Sequence, residues 1–389
     1  MKFDTVKIGE YLYIKGRIGW KGLKKNEYLD TSSYRIINGE SLTDDGIDWN
    51  KAGFISKERY EESPEIMLQP GDILISKDGT IGKIGYVDEL DAPTTVASGI
   101  FVVRNLKPQM FNTRFIYHFF TSQYFKNFIT MRTEGSVIPH LYQKDFVDLD
   151  FPLPELSIQN KIVDILDAIS QKIDVNKSVN NNLMQQATAL FRSWFIDFEP
   201  FGGVQPDDWN LSTLGQVSRM GAGGDKPKTT SPVKTVDCPY PIYSNGLTDY
   251  GLYGYTNEPK ISEESVTVSA RGTIGFVCLR HIPYVPIVRL VTLIPHTPMI
   301  SAKYLYLYLR QLNISGTGTT QQQLTVPDFR KTEIIVPSEG VMDTFTKMVT
   351  PMFEKIWVNE DENTALAKVR AALLPKLLSG EIELTSVDI

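Results

Sequence analysis

Two strings in this chain bring hydroxyls, a charged side chain and closely spaced glycines together. Residues 76–85 read SKDGTIGKIG and residues 269–277 read SARGTIGFV, so Ser-x-x-Gly-Thr-Ile-Gly occurs twice, 193 residues apart. Glycine-rich loops can cradle phosphates, but the known templates need GxxxxGK[ST], or GxGxxG after a strand. Gly79, Gly82 and Gly85 are spaced by three and fit neither. The flanks are β-like: Ile73-Leu74-Ile75 and Ile84-Gly85-Tyr86-Val87 around the first copy, Val266-Thr267-Val268 and Phe276-Val277-Cys278-Leu279 around the second. Strand, glycine turn, strand predicts a hairpin in each place. Its tip would offer Ser76, Lys77 and Thr80 in one copy, and Ser269, Arg271 and Thr273 in the other, to a ligand.

Other chemistry is sparse. The histidines are His118, His140, His281 and His296, and none has HxxxH or HExxH spacing. His118 lies in RFIYHFF, where a satisfied core histidine is the expectation. The GxSxG elbow of serine hydrolases is absent. So are a PD…ExK array and the Asn-Pro-Pro-Tyr/Phe string of an adenine methyltransferase. The reading is therefore a binding protein, not an enzyme, with no catalytic residue, metal ligand or cofactor contact of its own.

Charge singles out three stretches. Net charge is −6, yet KGRIGWKGLKK (15–25) holds Lys15, Arg17, Lys21, Lys24 and Lys25 and no acid. A local basic strip can hold phosphates whatever the global charge. Lys226 and Lys228, with Lys234, form a second cluster in GAGGDKPKTTSPVK. In GTGTTQQQL (316–324), Thr320, Gln321 and Gln322 are candidates, because the amides of Gln321–Gln323 can pair with adenine edges. Each stretch also reads as an ordinary solvated loop.

The glycine string belongs to a larger duplication. Gly135, Leu141, Asp145, Phe146 and Pro154 recur as Gly318, Leu324, Asp328, Phe329 and Pro337, all offset by 183. Leu42-Thr43-Asp44-x-Gly46 recurs as Leu247-Thr248-Asp249-x-Gly251, and Ile8-Gly9 as Leu214-Gly215. Asn176 and Asn180 recur as Asn359 and Asn363.

Each half ends in a helical pattern. Ile158, Ile162, Ile165, Ile169, Ile173, Val179, Leu183, Ala187, Leu190 and Trp194 step mostly by three and four, the stripe of one helix. Ser157 is the expected N-cap, and Pro200 with Gly202-Gly203 the stop. Some 40 residues would span ~60 Å. The second stripe runs from Phe345 through Met348, Met352, Ile356, Leu366 and Leu373 to Leu377, with Pro375 expected to kink or fray its last turns. Two such helices should pack antiparallel. Their mid-stripe asparagines either fix register from within the seam or lie on a solvated face.

Cys238 and Cys278 are the only cysteines and form no CxxC. No run of 18 apolar residues occurs, and MKFDTVKIGEY lacks an apolar signal core. A cytoplasmic protein is expected.

Four kinds of string taken together resemble the specificity (S) subunits of Type I DNA restriction–modification enzymes. They are FPLPELSIQNKIVDIL (151–166), ALFRSWFIDFEPFGG followed by QPDDWNLSTLGQV (189–217), the two glycine strings, and LLPKLLSGEI (373–382). The second spacer, PSEGVMDTFTKM, departs from the family's usual Glu-Gln opening, and the first has Ile158-Gln159 there. The resemblance implies an α+β fold. Two repeated globular target recognition domains, mixed α/β with β-hairpins, are separated by two long antiparallel coiled-coil-like helices with pseudo-two-fold symmetry. The corresponding boundaries are 1–151 and 201–337 for the domains, 152–200 and 338–389 for the helical spacers. It also implies that the chain reads a bipartite, asymmetric target on double-stranded DNA. It would scaffold methyltransferase (M) subunits, two in number, and restriction/translocase (R) subunits. S-adenosylmethionine, ATP and Mg2+ would belong to those partners. The alternative is the recognition subunit of a modification-only methyltransferase complex.

Overall fold

The computed structural model describes residues 3–133, 140–315 and 323–384. Met1–Val175 with Glu362–Ile389 make one compact unit, and Asn176–Asp361 make the other.

In the first unit Asp4–Lys7 pairs antiparallel with Asp150–Leu153. A four-stranded antiparallel sheet follows, in the order Leu12–Gly16, Ile100–Asn105, Ile73–Ser76, Ile84–Tyr86. Its central strands are buried on both faces, which explains the unbroken apolar runs ILI and IFVV. Alternation divides them. Ile73, Ile75, Phe101 and Val103 join the core with Phe115 and Phe119 of the helix Thr113–Phe120. Leu74, Ile100 and Val102 face a second core with Ile37 and Val96. Those two come from a smaller sheet of Gly53–Ile55, Tyr34–Ile37 and Thr94–Val96.

The second unit repeats the plan. Asn210–Thr213 pairs with Glu333–Val336. The four-stranded sheet runs Ser218–Ala222, Val291–Pro295, Ser265–Val268, Val277–Arg280, and a three-stranded one joins Leu252–Thr256, Tyr240–Tyr243 and Val285–Pro286. Even single bonds repeat: Ile8 N–H donates to Leu149 O at 3.1 Å, and Leu214 N–H to Thr332 O at 2.9 Å. Gly9 follows Ile8 because a Cβ there would meet Phe146 O at 2.5 Å. One expected match diverges. Leu42–Thr43 and Gly46–Ile47 form a small hairpin, whereas Thr248–Gly251 is a turn with Asp249 and Tyr250 at φ 47° and 55°.

The expected long helices are Leu156–Phe195 and Glu339–Ser379. In the first unit Ile162 and Leu166 share a core with Leu374, Leu377 and Leu378, and Lys172 Nζ lies 3.2 Å from Glu362. In the second unit Ala187, Phe191 and Phe195 share one with Met342, Phe345, Val349 and Phe353. Within each unit the two segments run antiparallel. The most buried apolar positions of the first helix are Ile162, Leu166, Ala187, Phe191 and Phe195, while Ile165, Ile169, Leu190 and Trp194 are half-buried. The stripe is broader than expected because each helix packs on its partner and on a globular domain at once.

Two end details differ from the sequence reading. Ser157 is not the cap: the helix starts at Leu156, and Ile158 and Gln159 N–H both donate to Glu155 O. Gln159 is fully buried, donating to Met110 O and Pro154 O and accepting from Asn112 N–H, so it anchors the helix to its domain. The second helix runs on through Pro375 to Ser379, with Leu377 and Leu378 buried. Packing on the first unit's core holds the last turn where propensity alone would fray it. No helix of the described residues is long and apolar enough to cross a membrane.

Candidate nucleic-acid interface

The repeated glycine string is a structural turn. Ser76 is buried; its hydroxyl donates to Thr80 O at 2.7 Å and accepts from Lys83 N–H at 2.8 Å. Ser269 does the same, donating to Thr273 O and accepting from Phe276 N–H. Gly82 N–H closes on Ser76 O, and Gly275 N–H on Ser269 O, both at 3.0 Å. Gly79, Gly82, Gly272 and Gly275 all have positive φ, between 67° and 88°, which explains their fixed spacing. Both serines are therefore committed to the turn and have no hydroxyl to offer a ligand.

Each tip is buttressed by chain returning from far away. Leu141 N–H donates to Lys77 O, and its counterpart Leu324 N–H to Ala270 O, each at 3.1 Å. That return brings side chains onto the tip. His140 Nδ1 contacts Asp78 Oδ1 in the first unit. Arg271 Nη2 donates to Gln323 Oε1 at 3.0 Å in the second. Thr80, Thr273 and Arg271 are exposed, and Lys77 is half-buried over the Phe101 ring.

The basic strip splits in two. Lys77 lies against the strip's start, where a Cβ on Gly16 would sit 3.3 Å from Lys77 Cε. Lys15, Lys24 and Lys25 are exposed. Arg17, expected among the phosphate contacts, is instead 1% exposed, donates to Val96 O at 3.1 Å, and points into the interior beside Ser63 and Thr95. Burial lowers its pKa below the usual guanidinium value, with Arg59 adding to this and Glu62 opposing it. It ties the large sheet to the small one, so its guanidinium is not displayed on the surface. Lys21 is half-spent, its ammonium donating to Glu62 O at 2.6 Å.

In the second unit Lys226 and Lys228 are exposed, and Lys226 Nζ sits 5.0 Å from the Tyr253 ring centroid. A chain of bonds joins this stretch to the hairpin tip. Ala270 N–H donates to Asn245 Oδ1, Asn245 Nδ2 donates to Val288 O, and Val288 N–H donates to Gly224 O. Val288 and Arg289 hold φ of 50° and 61°, a costly backbone for non-glycine residues. It leaves Arg289 exposed beside the lysine stretch, a cation the sequence did not single out. Thr320, Gln321 and Gln322 lie outside the described residues.

Gln323 stood out in the sequence only as one amide of the QQQ run, and Asp78 and His140 did not stand out as contacts. Their signal was arithmetic: Asp78 is 193 residues before Arg271, and His140 is 183 before Gln323. Exposed cations, hydroxyls and amides on rigid turns suit phosphates and base edges.

Relatives carry the same plan. The chain is 25% identical over 367 residues to the Type I restriction enzyme MjaIX specificity subunit of Methanocaldococcus jannaschii, covering 84% of this chain and 81% of that protein. It is 25% identical over 405 residues to the HindI specificity subunit of Haemophilus influenzae, covering 81% and 87%. The crystal structure of a Type I restriction-modification system S subunit from M. genitalium superposes with a TM-score of 0.63 at 17% identity, covering 99% of this chain and 97% of that one. It shares the fold. The family profile described as "Type I restriction modification DNA specificity domain" matches residues 2–185 and 206–343. By that match this chain belongs to the Type I restriction–modification DNA specificity family.

Proposed function

We propose that this chain is the DNA-reading subunit of a Type I restriction–modification complex and performs no catalysis itself. Each globular domain reads one half of a bipartite, asymmetric duplex target. The long helices carry methyltransferase subunits, and restriction/translocase subunits join that assembly. S-adenosylmethionine, ATP and Mg2+ act in those partners.

The observation that carries this reading is the twice-built hairpin tip. One mount, with the same serine, glycine and return-strand bonds, displays different side chains in the two units. Two readers on one design suit a target with two unlike halves. Phosphate contacts from Lys15, Lys24, Lys25, Lys226 and Lys228 would supply register and salt-dependent affinity.

The test is selection from a randomised duplex library by the purified full chain, alone and with its methyltransferase subunits. The expected yield is two short defined half-sites separated by unspecified bases. Recovery of no motif, or of one contiguous motif, would overturn the reading.

A further inference from the structure

The two glycine strings differ inside the turn at only two places, Lys77/Ala270 and Asp78/Arg271. Most shared residues have a structural duty: the serines close the turn, the glycines take positive φ, and Ile81 and Ile274 pack on their cores, while Thr80 and Thr273 accept the serine bonds through backbone O and leave their side chains exposed. The second of the differing places touches the returning chain in both units. Asp78 meets His140, and Arg271 meets Gln323. These are equivalent positions in the two repeats, at offsets of 193 and 183. The same across-the-tip contact has thus been kept while its chemistry was exchanged. In the first unit an acceptor carboxylate is paired with an imidazole. In the second a donor guanidinium is held by an amide oxygen.

We infer that Asp78–His140 and Arg271–Gln323 are matched specificity pairs, each fixing one base position of its half-site. This rests on the DNA-reading function proposed above. Base-edge chemistry assigns the classes. A guanidinium donates bidentately to guanine O6 and N7, and a carboxylate accepts from the cytosine N4 amino group. Arg271 therefore reads guanine. Gln323 is its positioning residue, because its Oε1 takes one N–H of the fork and orients the rest. Asp78 reads cytosine, with His140 fixing its rotamer. Both tips keep the reader exposed, Asp78 at 44% for its side chain. Neither reader is needed to close the turn, so variation here leaves the fold intact.

The experiment uses the full chain, wild type, Arg271→Gln, Arg271→Lys, Gln323→Ala and Asp78→Asn, against the same randomised duplex library. Thermal melting of each variant first establishes that it folds. Arg271→Gln should lose guanine at one position of one half-site, and Asp78→Asn should lose cytosine at one position of the other. Each loss should be roughly 5- to 150-fold in discrimination. Arg271→Lys keeps the charge without the fork and should relax the same position. Gln323→Ala should keep guanine preferred there with weaker discrimination, which a merely structural change would not confine to one base. Wild-type chain that selects no motif would remove the DNA-reading function on which the inference stands. Wild-type selection with unchanged motifs in folded Arg271→Gln and Asp78→Asn would overturn the inference alone. So would a change spread across both half-sites.

Discussion

Asn359 donates its side-chain amide to Asn180 Oδ1 at 2.7 Å, and Asn180 Nδ2 donates on to Ile356 O at 3.3 Å. Asn359 is 1% exposed, so this contact between the long helices is buried within the seam rather than on a solvated face. Amides in an apolar seam fix register, because any slip leaves them unpaired. Asn359→Leu alone should cost about 1–3 kcal/mol, the penalty of leaving the Asn180 carbonyl oxygen without its donor. The double replacement Asn180→Leu/Asn359→Leu should recover part of that loss. Urea unfolding of the four variants of the cycle measures the coupling, and additive effects would show that the pair sets nothing.

His118 supplies a pH dependence in the first unit. Its Nε2 lies 2.7 Å from Asp167 Oδ1, and Arg114 donates to the same carboxylate at 3.0 Å through both Nε and Nη2. Burial lowers the His118 pKa, outweighing Asp167, while Arg370 and Arg114 also push it down. Burial acts to raise Asp167, but the bonds from His118 and Arg114 win and hold it below the usual carboxylate range. Both groups have folded values below their unfolded ones, so protonation favours the unfolded chain in each case. The histidine's contribution is complete above its unfolded pKa near 6.5 and is lost as pH falls below it. The melting temperature should drop between pH 7 and pH 5, and His118→Gln should flatten that drop. An equal drop in the variant would place the acid sensitivity elsewhere.

The lysines of the strip should separate by experiment. Lys24→Ala with Lys25→Ala should weaken binding to all duplexes and reduce the salt slope by up to about 1 per true phosphate contact. Lys21→Ala should change the slope less, because its ammonium already donates to Glu62 O. A Lys21 effect as large as the double would mean that DNA displaces that bond.

Ser269→Ala should act on stability rather than on reading. It leaves Phe276 N–H and Thr273 O without the partner they share. About 1–3 kcal/mol of stability should go, while the selected motif stays the same. A motif altered in that half-site without destabilisation would make the serine a reader after all.

What the sequence made legible was local. The hairpins could be read because β-like flanks and fixed glycine spacing belong to one short segment. The long helices could be read because a 3.6-residue period persists over forty residues. Arg17 could not, because it sits in one strip with the exposed Lys15, Lys24 and Lys25 while its partner Val96 O lies 79 residues on. Gln159 was noticed only as a family departure, since its three backbone partners come from segments before the helix. The Asp78–His140 pair joins segments 62 residues apart, and only comparing the repeats position by position points to it. Contacts made by tertiary return leave no periodic trace.

Exchange of one domain tests the central claim most directly. Residues 205–335 would be replaced by the matching segment of a relative that recognises a different target, and the methylated motif mapped in cells carrying the methyltransferase subunits. Two independent readers on one chain require that one half of the motif be replaced and the other remain unchanged. A motif altered in both halves, or in neither while methylation persists, would contradict the account.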